Sequence, residues 1–170
     1  MSKRVSLKEF QEGLASRLKA AVTEAAPSAR LGFEAGGEHW LVRLDNSGAV
    51  LQVPEIQRVP LTRDWFLGVA NIRGALYGVS DFGAFLGASP TGRGPENRLL
   101  LVGQPTGMNC ALLVARLAGL RNVGEYSPEP AGGATAWTTA AWCDKEGRVW
   151  CELDTARLLA HRDFLDIAVH

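Results

Sequence analysis

The sequence predicts a mainly β protein built as two related lobes, and three observations carry that prediction. Turn signals recur about every ten residues through the first half of the chain, the rhythm of a small barrel or sandwich. Glycine occurs 19 times and proline 8 times in 170 residues, which favours short strands over long helices. One unit is also echoed. Gly74 is followed by Asp81 and then Leu86, and Gly147 is followed at the same two spacings by Asp154 and then Leu159. Each copy ends in paired large apolar residues, Phe85-Leu86 and Leu158-Leu159, so the copies read as two similar β units packed face to face.

The elements follow in order. Residues 6–24 predict the one long helix, with Leu7, Phe10, Leu14, Leu18 and Ala21 on one face. Ser6 and Glu9 form a capping box at its start, and Pro27 ends the helical region. Leu31–Ala35 and Glu38–Leu44 read as strands around Gly36-Gly37, and Ala49–Val53 follows the turn signal Asp45-Asn46-Ser47-Gly48. Pro54 marks an edge strand or a bulge. Pro60–Phe66 reads as a loop entering a short helical turn. Leu67–Ile72 and Ala75–Ser80 then form a hairpin around Arg73-Gly74, and Asp81 caps a short helix through Leu86. Residues 87–96 have no apolar anchor and are expected to be a flexible connection.

Asn97–Gly103 and Asn109–Arg116 predict a further hairpin. Its interiors, Leu99–Val102 and Ala111–Val114, are continuously apolar, so these strands should be buried on both faces, between the two lobes. After a loop over Ser127–Thr135, Trp137–Asp144 and Arg148–Leu153 give the last hairpin, and Asp154–Asp166 a closing helix. The organisation expected is an N-terminal helical extension over residues 1–30 and a two-lobed domain over residues 31–168.

Composition excludes several functions. Apolar residues make up 46% of the chain and charged residues 21%, the balance of a folded globular protein. Eighteen basic residues match eighteen acidic ones, which argues against a general nucleic-acid binder, since that needs a basic surface to displace counterions. No apolar run is long enough for membrane insertion. The start lacks the apolar core of a secretory signal, and Cys110, Cys143 and Cys151 form no C-x-x-C pair, so a cytoplasmic protein with reduced thiols is expected.

Reactive constellations are equally sparse. His39, His161 and His170 are not at ligand spacing with one another or with a cysteine, so no metal site is expected. No nucleophile elbow, phosphate loop or dinucleotide fingerprint occurs, so no cofactor is expected. Asp81 and Asp154 read as helix caps. Trp40, Trp65, Trp137, Trp142 and Trp150 read as core and lobe-interface packing, because no basic cluster surrounds them. Two rival readings are a thiol-dependent activity at Cys143 and Cys151, and a small barrel that stacks single-stranded nucleic acid on its tryptophans.

The segment Phe66–Gly74 resembles the pattern V-x-G-V-x-N-L-R-G of CheW-like chemotaxis adaptor domains. Val53-Pro54-Glu55-Ile56 is similar to the family's V-x-E-I strand, Val59-Pro60 to its V-P, and Val79-Ser80-Asp81-Phe82 to its V-x-D-L. Gly147 to Leu159 is similar to the family's ending, and the likeness covers about residues 31–160. It implies two intertwined five-stranded SH3-like β-barrels with an added N-terminal helix and a C-terminal helix. It also implies a non-catalytic adaptor between the cytoplasmic tip of a methyl-accepting chemoreceptor and the regulatory domain of a CheA-type histidine kinase. The N-terminal helix and the wording Trp65–Asn71 are most similar to the member that serves type IV pilus twitching motility.

The same resemblance implies site residues. Arg73 and Asn71 fall on the receptor side, with Leu99, Leu100 and Leu117 near an inter-barrel groove that accepts the receptor tip. Val53, Glu55 and Ile56 fall on a strand carrying kinase contacts. The sequence departs from the family at Gly78, Ser80, Arg63 and Ala115, and the loop between Ile56 and Pro60 is short. An adaptor that contacts only a kinase, or another CheW-like domain, is the alternative within the same class.

Overall fold

The computed structural model describes residues 27–103, 106–130 and 135–170. The expected helix over residues 6–24 lies outside them. The described residues open on a hairpin, β1 (Ala29–Ala35) and β2 (Glu38–Arg43), whose Ala35–Glu38 pair leaves Gly36-Gly37 as a two-residue turn. Both glycines have positive φ, the conformation that such a turn needs. Next come β3 (Ser47–Gln52), β4 (Phe66–Ile72), β5 (Ala75–Asp81) and helix α1 (Phe82–Phe85). The strands β6 (Arg98–Val102), β7 (Cys110–Val114) and β8 (Arg116–Asn122) follow. A 3-10 turn, Val123–Glu125, leads to β9 (Ser127–Glu129), β10 (Thr138–Cys143) and β11 (Val149–Leu153). Two helices close the chain, α2 (Thr155–Ala160) and α3 (Arg162–Leu165).

The strands form two sheets, ordered β8-β1-β2-β11-β10-β9 and β3-β6-β7-β5-β4. One plan generates both. In each, a hairpin (β10–β11 or β4–β5) lays its second strand parallel to a second hairpin (β1–β2 or β6–β7). The strand after β1–β2 crosses into the other sheet as β3, and the strand after β6–β7 crosses back as β8. These two crossings interlock the lobes. Each sheet then closes at a corner. Beyond β3 the chain kinks and Gln57 bridges to Val69 of β4, while beyond β8 the 3-10 turn leads into β9, which pairs with β10.

The echo in the sequence is the echo in the fold. Asp81 accepts the Ala84 amide at the start of α1, and Asp154 accepts the Arg157 amide at the start of α2. The same aspartates donate their own amides to the carbonyls of Trp65 and Trp137, at 2.7 and 2.8 Å.

Alternation on β6 and β7 divides the core. Leu100, Val102, Leu112 and Val114 face a large cluster between the lobes, together with Phe33, Trp40 and Phe82. Leu99, Leu101, Ala111 and Leu113 fill the interior of the second barrel. Strands buried on both faces are thus what the continuous apolar runs require, and each fully buried leucine contributes about 1.5–3 kcal/mol of transfer free energy. The first barrel has a smaller apolar centre, Leu41, Val123 and Trp150. Beside it Arg30 pairs with Glu152 at 3.1 Å, and Arg121 stacks over Trp150 at 4.9 Å.

Three local expectations change. The closing helix is two helices, because His161 adopts an extended backbone and its Nδ1 accepts the Asp163 amide, restarting the helix as a cap does. Residues 60–65 hold turns and no helix. Their backbone is claimed instead by the C-terminal tail, with the Arg63 amide donating to Ile167 and the Val169 amide to Leu61. β8 and β9 are strands that local pattern did not predict. Pro54 does follow an edge strand, since β3 is outermost in its sheet.

Candidate functional site

The hairpin β4–β5 ends in an unusual turn. Ile72 pairs with Ala75, leaving Arg73 and Gly74 as the two central residues, with φ of 53° and 85°. Left-handed backbone at both positions defines the mirror-image turn that suits a twisted hairpin, where asparagine-glycine is the usual choice. An arginine there costs about 1–2 kcal/mol. The Asn71 carboxamide accepts the Gly74 amide at 3.0 Å and steadies the turn. Arg73 is exposed and makes no ion pair among the described residues. Leu76, opposite Asn71 across the hairpin, is 63% exposed.

A groove of about 320 Å³ lies on the same barrel, lined by Val53, Ile56, Leu67 and Leu113 and walled by residues 92–95. Its floor follows from the kink after β3. Pro54 has no amide hydrogen to continue the ladder, so pairing stops and resumes only at Gln57. Val53 and Ile56 are left half-buried against the barrel core, and Glu55 points outward between them.

The wall is held by polar contacts. Asp81 accepts both the amide and the hydroxyl of Thr91, each at 2.7 Å. Buried Asn97 accepts the Gly94 amide and donates to the Ala115 carbonyl at 2.9 Å. Arg93 stands on this wall. Neither Arg93 nor Leu113 carries a local sequence signal that marks it as a groove residue. The signal that would have found the wall is Asp81 itself, whose two carboxylate oxygens exceed what a cap uses.

The remaining predicted residues separate. Leu117, on β8, is half-buried against the inter-lobe cluster. Leu99 and Leu100 are corrected. Both have 0% exposure, Leu99 inside the second barrel and Leu100 between the lobes, so neither offers surface to a partner. Their neighbours on both faces are the physical reason, because a central strand of a closed barrel has no free side.

The lobe contact also holds an aromatic group. Trp65 stacks on Phe164 at 5.6 Å, and Phe85 packs on Trp65, Trp137 and Phe164 at 5.0–5.1 Å. These tryptophans join the two lobes, as their spread along the sequence suggested.

Titratable groups serve structure. A hydrogen bond from Arg116 holds the Glu34 carboxyl below the usual range and ties β1 to β8. Burial opposes ionisation of Asp144, but bonds from the Trp150 indole and the Arg148 amide and guanidinium outweigh it and lower its pKa. Burial pushes the Cys110 thiol up to about 12, and burial with Glu38 nearby also raises Cys151. A reactive thiol needs the opposite shift. Among the described residues no three His, Cys, Asp or Glu side chains converge as metal ligands.

Two interlocked barrels, with a shaped apolar groove and an arginine-tipped hairpin, define a docking scaffold. The CheW-like domain family matches residues 30–163, and the chain belongs to that family of signalling scaffold and adaptor proteins. Protein PilI of Pseudomonas aeruginosa is 28% identical over 142 residues, which cover 82% of this chain and 79% of PilI. The crystal structure of the scaffolding protein CheW from Thermoanaerobacter tengcongensis has the same fold, with a TM-score of 0.65 at 18% identity, covering 75% of this chain and 89% of that one.

Proposed function

We propose that this chain is a non-catalytic cytoplasmic adaptor that couples the tip of a methyl-accepting chemoreceptor to the regulatory domain of a CheA-type histidine kinase. The likeness to PilI directs the reading to type IV pilus twitching motility. The observation that carries it is Arg73, an exposed arginine kept at the tip of a hairpin where its backbone conformation is costly. An exposed guanidinium at a hairpin tip fixes the register of an acidic or polar partner surface. Asn71 and Leu117 belong to the receptor side in this reading. Val53, Glu55 and Ile56 form the kinase side, where an apolar groove walled by Arg93, with Glu55 exposed between Val53 and Ile56, suits a complementary edge.

Among the described residues no helix is long and apolar enough to cross a membrane. Co-purification with the two candidate partners tests the reading. Arg73→Glu is expected to abolish retention on receptor tips and spare the kinase domain, while Ile56→Asp does the reverse. Unchanged receptor retention in Arg73→Glu would leave an adaptor for the kinase alone.

A further inference from the structure

The two barrels share a plan but are filled differently. Ser80 pairs with Leu112 in the second barrel as Leu153 pairs with Val42 in the first, each one residue before an echoed aspartate. That register makes Glu152 the counterpart of Val79, and Arg43 the counterpart of Leu113. Leu113 lies opposite Leu99 across β6–β7, and Arg43 lies opposite Arg30 across β1–β2. Val79, Leu99 and Leu113 are core of the second barrel. The first barrel therefore sets two arginines and a glutamate where its twin has leucines and a valine.

This filling costs the fold. Like charges directly opposite each other in an antiparallel pair are destabilising. A buried ion pair such as Arg30–Glu152 is often no more stabilising than well-packed apolar residues of the same volume. Nor do the charged side chains fill the space. A pocket of about 380 Å³ remains, lined in part by Arg30, Arg43, Thr139, Trp142, Glu152 and Asp154.

The free hydrogen-bonding capacity of this pocket is one-sided. Glu152 is served on both oxygens, by Arg30 Nε and by the Trp142 indole, each at 3.1 Å. Asp154 accepts the Arg157 amide at 3.0 Å and lies 3.5 Å from the Arg157 guanidinium. Arg30 Nη1 donates to the Pro27 and Ala29 carbonyls, whereas its Nη2 has no acceptor among the described residues. Arg43 bonds to Asp45 at 3.2 and 3.4 Å, but both side chains are exposed, and such a pair yields easily to a competing anion. What the pocket offers is donors, on two guanidiniums set opposite each other.

We infer that this pocket binds a small oxyanion, a carboxylate or a phosphate, between Arg30 and Arg43. The anion supplies the acceptor that Arg30 Nη2 lacks and screens the two positive charges from each other, and guanidinium forks match the oxygen spacing of both anions. The inference does not rest on the docking function proposed above.

Titration of the full chain with malonate and, separately, with inorganic phosphate tests it. The Arg30 Nε–H and Trp142 Nε1–H signals in nitrogen-edited NMR spectra are expected to shift saturably at millimolar anion or below. The tighter of the two probes tells whether the site is built for a planar carboxylate or a tetrahedral phosphate. Arg43→Leu, which copies Leu113, should weaken binding at least about tenfold. Arg43 is exposed, so this variant keeps the fold and decides the question on its own. Arg30→Leu combined with Glu152→Val copies Leu99 and Val79 and leaves neither partner of the pair buried alone. It should abolish the Trp142 shift and leave the denaturation midpoint equal or higher. Signals that stay still, or that drift without saturating, overturn the inference. Equal affinity in Arg43→Leu overturns it too, since it would mean an adventitious ion only.

Discussion

Gly68 passes so close to Gln57 that a β-carbon on Gly68 would overlap the Gln57 carbonyl oxygen. The contact is the closing bond of the second barrel, where Val69 and Gln57 exchange amide hydrogen bonds at 2.7 and 2.9 Å. Gly68 also has φ of 133°, outside what a side chain tolerates. Gly68→Ala is expected to cost about 2–4 kcal/mol and to loosen the groove floor at Val53 and Ile56. Chemical denaturation measures the cost, and a loss under about 1 kcal/mol would mean that the barrel closes elsewhere.

Arg73 gives a prediction in the other direction. Asparagine occupies left-handed backbone more readily than arginine. Arg73→Asn is therefore expected to raise stability by about 0.5–1 kcal/mol, read as a higher denaturation midpoint, while weakening receptor retention. A stability equal to or below that of the unsubstituted chain would remove the argument that this arginine is kept at the expense of the fold.

Asp144 predicts acid sensitivity. Its carboxylate accepts the Trp150 indole at 2.9 Å and the Arg148 guanidinium at 2.8 Å, which braces the turn of the last hairpin against the hairpin's own buried tryptophan. Its folded pKa lies below the unfolded value of about 3.9, so its contribution is complete well above that pH. The contribution is lost as pH falls through the unfolded value toward the folded one. Urea midpoints taken between about pH 6 and 2 should fall more steeply for the unsubstituted chain than for Asp144→Asn, which starts lower at neutral pH. Parallel curves would show that other carboxylates set the acid limit.

What the sequence revealed, and what it hid, follows from range. The β4–β5 and β10–β11 hairpins were readable because alternation and turn residues act locally. β9, Ser127-Pro128-Glu129, carries no strand signal and pairs only because β10 offers an edge. β8 mixes arginine, glycine and leucine, and its place beside β1 is set by a crossing of the whole chain. In the groove, Val53 and Ile56 were reached through family resemblance, whereas Leu113 and Arg93 meet them only through tertiary packing.

The two echoed aspartates show the same limit and supply the last prediction. In the sequence Asp81 and Asp154 stand at equivalent positions and carry one role. In the structure Asp154 caps α2 through the Arg157 amide at 3.0 Å and is half-buried. Asp81 is 1% exposed, caps α1, and also holds Thr91 by two bonds, so it carries the groove wall. Replacing Asp154 by alanine removes a cap worth about 1 kcal/mol. Replacing Asp81 by alanine also strands the Thr91 amide and hydroxyl, which brings the expected cost to about 3 kcal/mol. Thr91→Val removes only the hydroxyl bond and should cost about 1 kcal/mol, with the cap intact. Denaturation of the three variants separates the roles, and retention on the kinase regulatory domain should fall for Asp81→Ala but not for Asp154→Ala. Equal costs at the two aspartates would return Asp81 to the status of a simple cap and leave the wall of the groove without its anchor.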